Sequence, residues 1–201
     1  MVFIWTLLTF LLGALPFSVW VGQWGLRKEI RDYGDKNPGA TNVFRAGGFT
    51  WFGLALALDV SKAAVPVGLA YQIFGWQGWE ILPIALAAPL GHAFSPFLQW
   101  RGGKAVATVL GAWIGLTLWV VPLLGIPVLA LLALLLAPHG WAVLFTLLTV
   151  AAFVGGWLQN PVFLAIALGH AALMAWTHGD ELRQRPGLRQ RKKNEIGRLR
   201  E

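Results

Sequence analysis

Seven apolar stretches, each near the length of one bilayer crossing, account for most of this chain, and its charge is confined almost entirely to alternate connectors. A span needs about 20 apolar residues to cross a hydrocarbon core about 30 Å thick. The stretches run over about 2–23, 49–75, 80–98, 104–119, 120–137, 140–158 and 161–177. The last four are expected to be joined by short turns at Val121-Pro122, Pro138-His139-Gly140 and Asn160-Pro161. Such turns belong at the interfaces, because irregular backbone cannot face lipid. Composition agrees, since only 12% of the residues are charged, about half the share of a soluble domain. The first run is too long for a signal-peptide core and no small-residue cleavage site follows it, so it reads as a mature span.

The connectors assign an orientation. Arg27, Lys28, Arg31, Lys36 and Arg45 follow the first span, Arg101 and Lys104 follow the third, and Arg183, Arg185, Arg189, Arg191, Lys192, Lys193, Arg198 and Arg200 follow the seventh. The connectors after spans two, four and six hold no Lys or Arg, and Lys62 is the one basic residue in the interior of a span. The positive-inside rule makes the basic side cytoplasmic. The sequence therefore predicts an all-α, polytopic integral membrane protein with seven transmembrane helices, N-terminus outside and C-terminus cytoplasmic. A membrane domain over 1–178 precedes a basic tail over 179–201. The pI near 10.4 reads as topology and attraction to anionic lipid headgroups, with no nucleic-acid partner. Residues 183–201 are expected to be a solvated helix or disordered. The 12 tryptophans read as interfacial belts.

Two stretches on the basic side depart from ordinary connectors. Residues 34–48, GDKNPGATNVFRAGG, set Gly34, Gly39, Gly47 and Gly48 around Asn37, Thr41, Asn42 and Arg45. Glycine admits close backbone approach, successive amides form an anion nest, and arginine matches phosphate oxygens with a rigid fork. In 91–108, GHAFSPFLQWRGGKAVAT, Gly102-Gly103-Lys104 is expected to open the fourth span. A helix start offers unpaired N–H groups and a positive dipole end to an anion. The glycine spacing is not that of a Walker A loop. Within the spans, Asp59 and Lys62 lie three apart on one helical face and can neutralise one another. His92 and His170 read as core histidines. His178 follows span seven at the level of both glycine-rich stretches, which brings a titratable group, an arginine, a lysine and loop amides to one interface.

These motifs resemble those of the bacterial PlsY acyltransferases. The first stretch is similar to G-S-x-N-x-G-A-T-N-x-x-R-x-x-G, and the second to G-H-x-x-x-x-F-x-x-F-x-G-G-K-G-V-A-T. A third element, H-R-x-N-I, is echoed by His178-Gly179-Asp180-Glu181-Leu182. The resemblance implies a seven-span enzyme of the bacterial inner membrane with its active site on the cytoplasmic face. Its reaction moves a fatty acyl group from acyl phosphate to the 1-hydroxyl of glycerol 3-phosphate, giving lysophosphatidic acid for phospholipid synthesis. Carried over, Gly34, Asn37, Gly39, Thr41, Asn42, Arg45, Gly102, Gly103 and Lys104 bind phosphate-bearing substrates, while Asp35 and His178 stand at positions tied to the reaction. Three departures stand out: Asp35 replaces the family serine, Gly179 and Glu181 replace arginine and asparagine, and Ala105 replaces a glycine.

Proton removal falls to Asp35, His178 or the acyl phosphate itself. Without cysteine or a serine hydrolase motif, direct attack in one step is expected rather than a covalent acyl-enzyme. No cofactor, metal or obligate protein partner is implied. A catalytically silent or altered-specificity paralogue is the main rival, and a transporter of an anionic solute is another, although the halves show no repeat.

Overall fold

The computed structural model describes residues 1–189, and the expectations for Arg191, Lys192, Lys193, Arg198 and Arg200 lie outside them. Helix α1 (Val2–Ala14) breaks at Leu15-Pro16 and continues as α2 (Phe17–Trp20) and a wider turn to Leu26. An amphipathic helix α3 (Ala40–Gly47) leads into α4 (Phe49–Gly68, prolonged to Ile73). Then follow α5 (Ile81–Ala93), α6 (Val106–Thr117), α7 (Val120–Leu135), α8 (His139–Ala152, prolonged to Trp157), α9 (Pro161–Thr177) and the single turn α10 (Gly179–Leu182). Four of the apolar helical runs reach membrane-crossing length: Val2–Leu26, Phe49–Ile73, Ile81–Leu98 and His139–Trp157. Val106–Thr117, Val120–Leu135 and Pro161–Thr177 are apolar but shorter.

Small residues let the helices approach. A Cβ on Gly13 of α1 would stand 2.2 Å from Ala88 O of α5, and one on Gly111 of α6 would stand 2.2 Å from Val60 O of α4. Apolar surface is no driving force in lipid, so such close backbone contact stands in for it. Between the helices the core gathers Val67, Ile84, Trp113, Leu116, Ile166 and Met174.

Four local readings change. The turn after α6 falls at Leu118, in the left-handed region (φ 52), and Trp119. Pro122 instead lies in the first turn of α7, where a residue without an N–H removes no intrahelical bond, while Val121 N–H donates to Thr117 Oγ1 at 3.2 Å. Half of the 34–48 stretch is helix, because Ala40, Val43 and Ala46 bury one face of α3. Lys104 does not open α6: Gly102 and Gly103 lie across the end of α5, and Ala105, at φ 63, turns the chain into the helix at Val106. Over residues 183–189 the basic tail is exposed but not helical. Gly187-Leu188 (β2) pairs antiparallel with Leu136-Ala137 (β1), and Arg189 donates to Ala133 O.

Candidate active site at one end of the bundle

The segments after α2, α5, α7 and α9 meet at one end of the bundle. Gly34 turns the first of them at φ +58, and a Cβ there would fall 1.8 Å from Arg45 Nη1. Only glycine allows both the left-handed turn and the passage of the guanidinium over it. Asp35 follows. Its Oδ1 accepts from Asn42 Nδ2 at 3.1 Å and from Asn37 N–H at 3.3 Å. Asn42, buried on the inner face of α3, also donates to Asn37 O and accepts from Arg45 Nη1 at 2.7 Å. Gly39 caps α3 in an extended conformation, and a side chain there would collide with Asn37.

Asp35 joins the two motifs. Its Oδ1 lies 3.7 Å from Arg45 Nη1, and its Oδ2 accepts from Lys104 Nζ at 2.7 Å. Lys104 also donates to Glu181 of α10. Glu181 Oε2 in turn accepts the Gly140 N–H that opens α8, at 2.6 Å. A ladder of alternating charge thus runs Arg45, Asp35, Lys104, Glu181. Burial alone would raise Asp35 and Glu181, but the ammonium between them holds both carboxyls below their ordinary values. Burial alone would lower Lys104, and its two carboxylate partners hold it above the usual lysine value. All three are therefore charged at neutral pH.

The glycines of the second motif do different work from that expected. Gly102 N–H donates to Ala93 O and Gly103 N–H to His92 O, each at 3.0 Å. A helix leaves its last carbonyls without internal partners, so α5 takes up these amides and they are not available to an anion. The two residues form a strap that delivers Lys104, whose carbonyl accepts from Thr177 at 3.2 Å. Thr41 stands exposed on α3, outside the ladder.

His178 is buried at the end of α9, with Nδ1 3.0 Å from Met174 O. A carbonyl can only accept, so Nδ1 carries the proton and Nε2 keeps its lone pair. Burial lowers this histidine below its ordinary value, with the Met174 carbonyl acting in the opposite sense. It is neutral at pH 7. Beside the ladder opens a cleft of about 570 Å³, lined by Arg31, Asp35, Lys36, Arg101, Lys104 and Trp176 among others. Sequence reasoning missed Glu181 as a site member, although it lies one helical turn from His178. It also assigned Lys36 and Arg101 to topology alone.

Fold and cleft define a class: an all-α membrane protein that collects charged side chains and glycine-rich backbone at one end of an apolar helical bundle. The chain belongs to the glycerol-3-phosphate acyltransferase family, whose sequence model matches residues 3–185. It is 34% identical over 183 residues to a glycerol-3-phosphate acyltransferase of Maridesulfovibrio salexigens, covering 90% of this chain and 91% of that one. It is 37% identical over 183 residues to one of Desulfovibrio desulfuricans, covering 89% and 79%. The fold matches the crystal structure of PlsY, an integral membrane glycerol 3-phosphate acyltransferase, in its glycerol 3-phosphate form, with TM-score 0.80 and 27% identity over 90% of both chains. The lysophosphatidic acid form matches with TM-score 0.78 and 28% identity.

Proposed function

We propose that this protein transfers a fatty acyl group from acyl phosphate to the 1-hydroxyl of glycerol 3-phosphate at the cytoplasmic face of a bacterial inner membrane. Residues 1–178 form a seven-span domain, N-terminus outside, with the basic segment from 179 on the cytoplasmic side. The observation that carries the reading is the meeting of both glycine-rich motifs on one carboxylate: Asp35 holds Arg45 beside one oxygen and Lys104 on the other, and Asp35 and Lys104 line an open cleft. Both substrates bear phosphate, and two adjacent cations with fixed geometry are what such substrates need.

In the reaction the glycerol oxygen bonds to the acyl carbon, the acyl–phosphate C–O bond breaks and inorganic phosphate leaves. Acyl phosphate is an activated donor, so positioning and charge neutralisation supply most of the acceleration. Arg45 and Lys104 take the phosphate charge, with Gly34, Asn37, Gly39 and Asn42 fixing the arginine side and Gly102 and Gly103 the lysine side. His178 Nε2, neutral and unprotonated, accepts the hydroxyl proton. Asp35, held ionised by Lys104, is a weaker base than an unpaired carboxylate, and its part is to orient the two cations. The acyl chain lies in the bilayer between helices.

Purified protein given palmitoyl phosphate and glycerol 3-phosphate is expected to form lysophosphatidic acid, faster than with acyl-CoA or acyl carrier protein as donor. Lys104→Ala is expected to abolish turnover, and near-normal rates in that variant refute its role. A second reading rests on the two carboxylates at Lys104, which oppose phosphate where the family motifs carry neutral residues. A silent paralogue would bind glycerol 3-phosphate and form no product with any donor.

A further inference from the structure

We propose that His92 is a positioning residue that sets the Gly102-Gly103-Lys104 strap, and that a buried Ser18–Asp59–Lys62 cluster fixes which of its nitrogens faces the strap. The proposal rests on the reading of Lys104 as a phosphate ligand.

Lys62 lies inside the bundle with 1% of its side chain exposed. Asp59 Oδ1 is its counter-ion at 2.8 Å, Leu15 O accepts from it at 2.8 Å, and His92 Nδ1 lies 2.8 Å away. An ammonium donates and cannot accept, so Nδ1 of His92, 2.8 Å from it, must be the accepting nitrogen. The proton of the neutral ring then sits on Nε2. Ser18 donates to Asp59 Oδ2 at 2.5 Å, while Oδ1 faces the ammonium as its counter-ion without a hydrogen bond. Leu15 and Ser18 come from the α1–α2 segment, Leu15 at its break and Ser18 in α2, Asp59 and Lys62 from α4, and His92 from α5. Three elements converge to set one imidazole.

That imidazole lies against the strap. A Cβ on Gly103 would stand 2.3 Å from His92 Nε2, and one on Gly102 would stand 1.9 Å from His92 O. His92 O also takes the Gly103 amide. Both strap glycines are therefore required by His92, on whose ring and carbonyl they rest. Among the described residues Nε2–H has no hydrogen-bond partner, although His92 is only 8% exposed. It is turned toward the backbone that carries Lys104 between Asp35 and Glu181. Gly103, against which the imidazole lies, directly precedes Lys104, so a shift of the ring moves the backbone from which the cation extends.

The test compares His92→Phe, which keeps a planar ring but neither polar nitrogen, with His92→Gln, which keeps one acceptor and one donor. A misplacement of about 1 Å at a reacting centre costs up to about a hundredfold. His92→Phe is therefore expected to raise KM for a phosphate-bearing substrate at least tenfold, with His92→Gln within about threefold of the wild type. A cluster that only stabilises the fold would lower Tm and the active fraction while leaving KM unchanged, and that result overturns the proposal. Binding of inorganic phosphate, read by calorimetry, separates the two layers of inference. A wild type that binds phosphate but forms no product refutes the enzyme reading, and the phosphate affinities of the two variants then decide the role of His92 in the same way. A wild type that neither turns over nor binds phosphate overturns both.

Discussion

Replacing Glu181 with asparagine, the residue of the family motif, is expected to tighten the site for phosphate rather than weaken it. Lys104 is held by Glu181 on one side and by Asp35 on the other. A phosphate that reaches Nζ from the cleft must sit about 6 Å from each carboxylate. Side chains of Lys104 and Glu181 are 27% and 22% exposed, so the effective permittivity lies between that of water and that of a dry interior. At a value of about 40 each pair of unit charges costs about 1.4 kcal/mol at that distance, and a phosphate charge near −2 costs about twice as much. Loss of one ion-pair anchor on Lys104 offsets about 1 kcal/mol at most. The amide oxygen of asparagine, one methylene shorter, is set back from the Gly140 N–H, so the melting temperature of the variant is measured alongside. The net expectation is a fall in KM for glycerol 3-phosphate of about tenfold, with each 1.4 kcal/mol giving one factor of ten. Steady-state kinetics at saturating palmitoyl phosphate measure it. The gain should shrink as ionic strength rises, because these charges are partly screened. An unchanged or raised KM, in a variant that melts at the wild-type temperature, refutes the electrostatic reasoning.

Gly34→Ala should cost about 1–2 kcal/mol from its left-handed φ alone, and its methyl group would displace Arg45. Activity is expected to fall at least tenfold, together with a lower Tm. Lys62→Met strands a buried carboxylate, so about 3–5 kcal/mol of stability should be lost. Asp59→Asn/Lys62→Met removes both charges and should melt well above the single variant in detergent. Lowering pH should reduce turnover with a midpoint below about 6.5, the ordinary histidine value, because burial disfavours the protonated ring of His178. The stability sign agrees. A histidine with a depressed folded value binds fewer protons folded than unfolded, so its contribution is intact above the ordinary value and is lost as pH falls through it. A midpoint at or above the ordinary histidine value of about 6.5 removes the buried His178 as the base.

The apolar runs were legible because a helix in lipid must satisfy its own backbone and cover itself with hydrocarbon. Each of the seven runs is helical within a few residues of its expected bounds. Asn160-Pro161 announced α9 through local chemistry, with the Asn160 side chain accepting from Phe163 N–H at 2.9 Å and proline in the first turn. Pro122 carried the same signal and was taken for a turn, since a proline at a helix start and one in a loop look alike without the preceding left-handed residue. Gly102 and Gly103 were legible as glycines but not as to purpose. Their amides go to α5, a partner that spacing along the chain does not reveal. Asp59 and Lys62 were legible as a pair from their i, i+3 spacing. His92 and Ser18 join them from other helices, which is tertiary information.

Two of the departures from the family motifs converge on one atom. Asp35 stands in place of serine and Glu181 in place of asparagine, positions far apart in sequence, yet both carboxylates reach Lys104 Nζ. Decay of an unused site would scatter its changes, and would have no reason to keep Arg45, Asn42 and the strap in register while adding two anions to the same cation. The pair is better understood as one adjustment of the charge that a ligand meets. It follows that the two residues are coupled. In a cycle of Asp35→Ser, Glu181→Asn and the double variant, removal of the first carboxylate leaves Lys104 with one partner, and removal of the second leaves it with none. The effects on KM should therefore depart from additivity by about 0.5–3 kcal/mol, as expected of residues sharing a partner. The double variant, which has the family's neutral pair around Lys104, should bind glycerol 3-phosphate most tightly. Strict additivity would mean that the carboxylates act on separate steps, and the ladder would then describe packing rather than the tuning of a binding site.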